Sequence, residues 1–168
     1  LDQAIGLYPN SESLIYARAM TAQRLGNLKQ LEQDLRSILA MSPENATVLN
    51  ALGYTLADET DRYSEARELI EAALRLAPDE PAILDSMGWV LYKLGQLDEA
   101  KQYLERAYEL MRDPEIAAHL GEVLLALGEG EAATQIWEEA MHESPDHESL
   151  LATVERLKPN LLNTINAH

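Results

Sequence analysis

The sequence predicts an all-α solenoid, a single array of antiparallel helix hairpins. Its 168 residues carry two sets of small residues that recur every 33 to 35 positions, namely Gly53, Gly88 and Gly121, and Ala66, Ala100 and Ala133. Within one period, from Pro81 to Asp113, two amphipathic helical patterns meet at Gly95. A helix, a turn and a helix repeated at a fixed period of this length are typical of a solenoid.

The period assigns all of 1–168 to one solenoid. The predicted elements, in order, are the second half of a truncated repeat (1–11), four full repeats (12–45, 46–80, 81–113 and 114–147), and a capping helix with a tail (148–168). Prolines, which cannot continue a helix, close the half repeat and three of the full repeats; they are Pro9, Pro43, Pro78 and Pro145. The repeat 81–113 differs, because it has Arg112 where the others have proline.

Turn and cap residues predict the helices of the first two full repeats. In repeat 12–45, one helix from Ser13 to Leu25 and another from Leu28 to Met41 flank the Gly26-Asn27 turn. Glycine fits there because the residue after a helix often takes the left-handed conformation. Repeat 46–80 starts after Asn45, whose side chain can accept a hydrogen bond from the first turn of the helix.

The last elements close the array. Repeat 114–147 turns at Gly128-Glu-Gly130, and the segment from Glu148 to Leu157 indicates one more helix with an apolar stripe that includes Leu150 and Val154. A solenoid needs a terminal element with one polar face, so we predict that this helix caps the core. Pro159 breaks it, and two outcomes stay open for the apolar residues at 161–165: a last turn that folds back, or frayed chain.

The repeat phase also leads to an expectation about the two ends. Leu1 and Ala4 hold positions late in a second helix, and the chain does not begin with methionine. We therefore expect a piece of a longer array whose upstream repeats and targeting segment are absent, ending at the natural C-terminus.

Gly88 lies in the middle of a predicted helix, where glycine costs about 1 kcal/mol relative to alanine. Close approach of a partner helix would explain it. We predict that Gly88 is a hollow that receives the helix carrying Ala100 and Ala107.

Composition excludes several classes of function. The net charge is −16 and the isoelectric point is near 4.5, which argues against a nucleic-acid or anionic-membrane surface. The chain has no cysteine, so thiol chemistry and zinc–thiolate sites are excluded. No cofactor or metal is predicted. The acidity itself is explained either by a solvated convex face or by a preference for basic partner segments.

The repeats resemble the tetratricopeptide repeat (TPR) family. Repeat 81–113 has Leu84-x2-Met87-Gly88-x2-Leu91 followed by Ala100-x3-Leu104, and repeats 46–80 and 114–147 keep the same spacing. The resemblance implies a right-handed superhelix of antiparallel hairpins that binds other proteins. It also implies that the first helix of each repeat lines a concave face and carries the ligand contacts.

The positions that would face inward define the predicted site. Asn50 and Tyr54 pair a polar group with an aromatic ring one helical turn apart, and Asp85 and Trp89 repeat this pair 35 residues later. We predict that this ladder binds an extended or helical peptide. The full predicted set is Tyr16, Asn50, Tyr54, Asp85, Trp89, Tyr92, Lys93 and Glu122. The alternative is that Tyr54 and Trp89 pack against the next helix.

The sequence does not predict an enzyme. His119 lies on a first helix, but no acidic, Ser or Cys partner stands in evident register with it. His142 and His147 are predicted to be solvated residues of one loop, with a spacing that matches no strong metal motif.

The segments DSMGWVLYKLG and DPEIAAHLGEVLLALG are similar to the C-terminal repeats of bacterial envelope TPR lipoproteins. Among these, the resemblance is to the outer-membrane lipoprotein adaptors that partner a periplasmic carboxyl-terminal processing protease and present substrates to it, including cell-wall hydrolases. The resemblance implies such partners, a periplasmic position at the outer membrane, and a lipid anchor outside this segment. The alternatives are a cytoplasmic or secretion-complex scaffold and a self-associating module.

Overall fold

The computed structural model describes residues 2–165, and in that range the chain is helical with no strand. The helices are α1 (Asp2–Leu7), α2 (Glu12–Arg24), α3 (Leu28–Met41), α4 (Ala46–Glu59), α5 (Tyr63–Leu76), α6 (Pro81–Lys93), α7 (Leu97–Leu110), α8 (Pro114–Ala126), α9 (Gly130–Glu143), α10 (Glu148–Leu157) and α11 (Pro159–Ile165). Residue 1 and residues 166–168 of the predicted half repeat and tail lie outside the described range. No helix within it is both long and apolar enough to cross a membrane.

The chain divides into two compact units, Leu1–Pro78 and Asp79–His168. In the first unit, α2 packs against α3 and α4 against α5. In the second unit, α6 packs against α7 and α8 against α9, while α10 packs against α8. These consecutive pairs are the hairpins that the sequence predicted. A single solenoid that runs through both units stays a prediction.

Three of the four hairpins turn at a glycine with positive φ, at Gly26, Gly95 and Gly128. At each of them the glycine N–H bonds to a carbonyl of the helix just ended, and the next N–H bonds one residue further back. For Gly95 these bonds reach Tyr92 O and Leu91 O, both at 2.9 Å. This pattern closes a helix whose last carbonyls have no partner within the helix. The predicted glycine turns are confirmed.

Gly88 is the predicted hollow, and the structure confirms it. A Cβ atom built on Gly88 would collide with the Leu104 side chain and would lie 3.1 Å from the Ala100 carbonyl oxygen. Ala100, Leu104 and Ala107 of α7 are fully buried against this surface. The missing side chain lets the α6 and α7 backbones approach each other closely.

The C-terminal helices close the core of the second unit. Leu150 and Val154 of α10 are fully buried, so the predicted capping helix is confirmed. Pro159 ends α10 as predicted but also begins α11, because proline is tolerated in the first turn of a helix. Leu161 is buried, and α11 packs against α10, which favours the folded-back outcome over fraying.

Candidate protein-interaction site

Helix α6 presents the four site residues that were predicted between positions 85 and 93. The helix begins with Pro81, whose missing N–H has no helical partner at that position in any case. Asp85, Trp89 and Lys93 are spaced four residues apart, so they lie along one face of α6, and Tyr92 borders the same face.

Asp85 pairs with His119 of α8. Nδ1 of His119 lies 2.9 Å from Oδ1 and 3.1 Å from Oδ2 of Asp85, and both side chains are buried. The prediction that no acidic partner stands in register with His119 is wrong. The signal was present, because the two residues are 34 positions apart, which is one repeat.

The Trp89 ring contacts two other rings and one cation. Its ring stacks on His119 with centroids 4.2 Å apart, and the Tyr92 ring lies 5.2 Å away. Lys93 Nζ is 4.6 Å from the Trp89 ring centroid, within the range of a cation–π interaction. Trp89 is therefore only 6% exposed. Its packing on α8 agrees with the alternative that the ring contacts the next helix, and its role in binding stays a prediction.

Glu122 joins α6, α8 and α10. The Tyr92 hydroxyl donates to Oε1 of Glu122 at 3.1 Å, and Nη2 of Arg156 donates to Oε2 at 2.6 Å. Burial raises the pKa of the Tyr92 phenol, and the charge of Glu122 acts in the same direction. The hydrogen bond to Glu122 raises the pKa of the Arg156 guanidinium. Arg156 is not among the predicted site residues, although it also follows its partner by 34 residues.

We call this connected surface the α6–α8–α10 face. It consists of Asp85, Trp89, Tyr92, Lys93, His119, Glu122 and Arg156. Within this set, the side chains of Asp85 and Glu122 are buried, Tyr92 and Lys93 are half-buried, and the Arg156 side chain is 55% exposed. The groups that can touch a partner are thus an aromatic ring and two cations, each held in place by a group below it.

Two of the predicted site residues of the first unit, Tyr16 and Tyr54, line different pockets. Tyr16 lines a groove with Thr47 and Val48, and Tyr54 lines a smaller cavity with Gln23. Tyr16, Tyr54 and Asn50 are all half-buried. A ladder that continues from Asn50 and Tyr54 into the second unit stays a prediction.

The prediction that His142 and His147 belong to one loop is wrong. His142 is exposed in the last turn of α9, whereas His147 is the N-cap of α10 and its Nδ1 accepts from the Leu150 N–H at 3.4 Å. In the described part of the chain, no three or more His, Cys, Asp or Glu side chains are grouped to hold a metal ion.

The α6–α8–α10 face offers recognition chemistry. It has a surface for stacking, two cations, and buried anions that orient the groups around them.

Two models described as tetratricopeptide repeats match the sequence, one over residues 44–113 and one over residues 91–157. The TPR repeat-containing protein PA4667 of Pseudomonas aeruginosa is 52% identical over 122 residues, which cover 73% of this chain and 21% of that protein. The type IV pilus assembly protein PilF of the same organism is 30% identical over 127 residues, covering 74% of this chain and 50% of that protein. The chain therefore spans about a fifth of the length of PA4667 and about half the length of PilF.

A solved structure shares the fold. The crystal structure of a thermophilic TPR protein from Thermus thermophilus matches 96% of this chain and 87% of that one, with a TM-score of 0.80 and 23% sequence identity. At that identity the likeness shows the arrangement of helices alone.

Proposed function

The chain belongs to the tetratricopeptide repeat family, whose members generally mediate protein–protein interactions, and we propose that it binds a partner protein through the α6–α8–α10 face. The observation that carries this proposal is the unbroken chain of contacts from Asp85 through His119 and Trp89 to Lys93, and from Tyr92 through Glu122 to Arg156. Side chains that are already ordered lose little conformational entropy on binding.

The chemistry of the face suggests what it binds. The Tyr92 ring supplies contact area and the two cations supply directed donors, which suits an extended or helical peptide with acidic or carbonyl groups. Lys93 and Arg156 thus place two cations on this face, although the chain as a whole carries a net charge of −16. A partner segment of this kind would be held by a few residues near the centre of the contact.

The finer form of the proposal is an adaptor role. The similarity of 85–95 and 113–128 to envelope TPR lipoproteins supports an adaptor that brings substrates, such as cell-wall hydrolases, to a periplasmic processing protease. In that case the protein acts at the periplasmic side of the outer membrane, and a lipid anchor outside this segment holds it there.

A second candidate is a scaffold in an assembly complex. It is favoured by the likeness to a protein whose name states a role in type IV pilus assembly. The two candidates share the binding face and differ in the partner that occupies it.

Site-specific photo-crosslinking tests the proposal. The crosslinking residue p-benzoylphenylalanine is placed at Lys93, and the matched control carries it at Gln102, an exposed residue of α7. Each protein is irradiated in an extract of the source cell, and the adducts are identified by mass spectrometry. A processing protease or its substrate crosslinked only from position 93 supports the adaptor role, and a component of an assembly complex supports the second candidate. Equal adducts from both positions, or none from position 93, would refute the proposed face.

A further inference from the structure

A second surface of the Asp79–His168 unit is a groove between α7 and α9. It encloses about 400 Å³, and its floor includes Tyr108 from α7, Leu124 from α8 and Ile136 from α9. Tyr108 and Leu124 are buried, and Ile136 is half-buried. We name it the α7–α9 groove. Its two sides are the second helices α7 and α9, and it shares no residue with the α6–α8–α10 face.

The rim of the α7–α9 groove is acidic. Of the described residues that line it, four are glutamates and one is an arginine. Glu105 and Glu109 stand one helical turn apart on α7, about 6 Å along the axis, and both are exposed. Glu139 of α9 lines the opposite side.

The arginine in the groove is Arg112, the residue that replaces the expected proline of repeat 81–113. Its Cζ lies 5.6 Å from the centroid of the Tyr108 ring, and its Nη1 lies 3.6 Å from Oε2 of Glu139. The groove thus already holds one guanidinium of the chain itself, between an aromatic face and a carboxylate. This contact shows which chemistry the groove accepts.

We propose that the α7–α9 groove is a docking site for a basic amphipathic helix of a partner protein. Its apolar side covers Ile136 and the floor, and its arginines or lysines reach Glu105 and Glu109 along α7. Lys101 pairs with Glu105 at 3.8 Å and with Glu129 at 2.7 Å. Arg112 pairs with Glu139. Charge complementarity still argues for this occupant, since four glutamates outnumber these two cations, and the remaining negative charge repels an acidic segment and attracts a basic one. Arg112 occupies part of the site until the partner's cation replaces it at Glu139.

The test uses the whole 168-residue chain and a short fluorescein-labelled helical peptide with arginine at i and i+4 and leucine at i+3 and i+7. Fluorescence polarisation measures its affinity, and a second peptide with glutamine in place of each arginine measures the apolar contribution. Glu105→Gln/Glu109→Gln should weaken binding about fivefold, from two partly exposed ion pairs. Arg112→Gln should strengthen it about twofold, because a competing cation is removed.

The matched control is Glu131→Gln/Glu138→Gln, which changes the net charge by the same amount at two exposed positions of α9 outside the groove. If this control variant binds the arginine peptide with an affinity within twofold of that of the unmodified chain, the result supports a local site. Equal weakening by both double variants means that the peptide senses only the overall negative charge, and this result overturns the proposal. An unchanged or weaker affinity of Arg112→Gln, with the helical circular dichroism intact, overturns it too.

Sedimentation velocity of the chain without peptide checks the other occupant, a second copy of the chain. A concentration-dependent dimer that Glu105→Gln/Glu109→Gln dissociates would assign the groove to self-association and overturn the proposal. A monomer that binds the arginine peptide in a saturable way supports it. Crosslinking from position 93 does not depend on this groove, so the two surfaces are tested separately.

Discussion

Replacing Gly88 by alanine tests the close packing of α6 on α7. The new methyl group would be directed at the Leu104 side chain, with the Ala100 carbonyl oxygen 3.1 Å away. Leu104 is fully buried and cannot rotate into solvent, and the carbonyl belongs to the backbone of α7. Both obstacles can move only if the two helices separate.

Two effects of opposite sign decide how much Gly88→Ala changes the free energy of unfolding. Alanine is favoured over glycine inside a helix by about 1 kcal/mol. Overpacking a tight core costs about 1 to 3 kcal/mol, and two obstacles, one of them backbone, place this site near the upper end. We expect Gly88→Ala to lower the free energy of unfolding by about 2 kcal/mol. For a chain of this length, that corresponds to a fall in Tm of about 4 to 8 °C.

Thermal and urea unfolding followed by circular dichroism measure this change. The control is Gly130→Ala at the start of α9, where the nearest atom to a new Cβ is Leu125 Cδ1 at 3.8 Å, an ordinary contact. We expect its stability to stay within about 0.5 kcal/mol of the unmodified chain. Leu104→Ala should cost less in the Gly88→Ala background than alone, because the two side chains compete for one space. A Gly88→Ala variant as stable as the unmodified chain would refute the reasoning.

Three further predictions concern polar groups. Arg18→Ala removes two guanidinium hydrogen bonds from the buried Asp34 carboxylate. It should lower the free energy of unfolding, measured with denaturant, by about 2 to 3 kcal/mol, and adding Asp34→Asn should restore part of that loss. Asp113→Ala removes the cap that accepts the Glu115 N–H at 2.8 Å and should lower Tm by an amount equivalent to about 1 kcal/mol. The phenol pKa of Tyr92 is raised in the folded state, so the folded chain retains that proton longer and loses stability as pH rises beyond about 10. Ultraviolet titration measures this pKa, with the Tyr92→Phe variant used to subtract the signal of the other tyrosines. Glu122→Gln should lower the pKa of Tyr92 but leave it above the ordinary value, because the ring stays partly buried. An unchanged pKa would contradict the contact between Tyr92 and Glu122.

Much of the local structure follows from residues close together in the chain. The glycine turn at Gly95 requires only a left-handed conformation after α6, and the cap at Asn45 requires only a side-chain oxygen before α4. The hollow at Gly88 was also predictable, because a glycine that costs free energy in a helix interior needs a packing reason. These features depend on backbone geometry within one hairpin.

The pairing within the candidate site was not predicted. His119 and Arg156 each bond to a residue 34 positions earlier, so the period alone brings their helices together. The period does not say which way each side chain turns about its helix axis. That direction decides whether Trp89 faces a ligand or stacks on His119, and it is set by how α6, α8 and α10 pack.

The sequence by itself determined the helix hairpins, their period and the family, because those depend on short-range conformational preferences and on a spacing that repeats along the chain. Only the tertiary structure decided which charges are buried and which are exposed. Asp85 and Glu122 lie in the interior because His119 and Arg156 satisfy them there, and burial of a carboxylate is tolerated only with such a partner. The same packing placed Arg112 Nη1 3.6 Å from Oε2 of Glu139 on α9, a contact between two repeats that the repeat pattern does not specify.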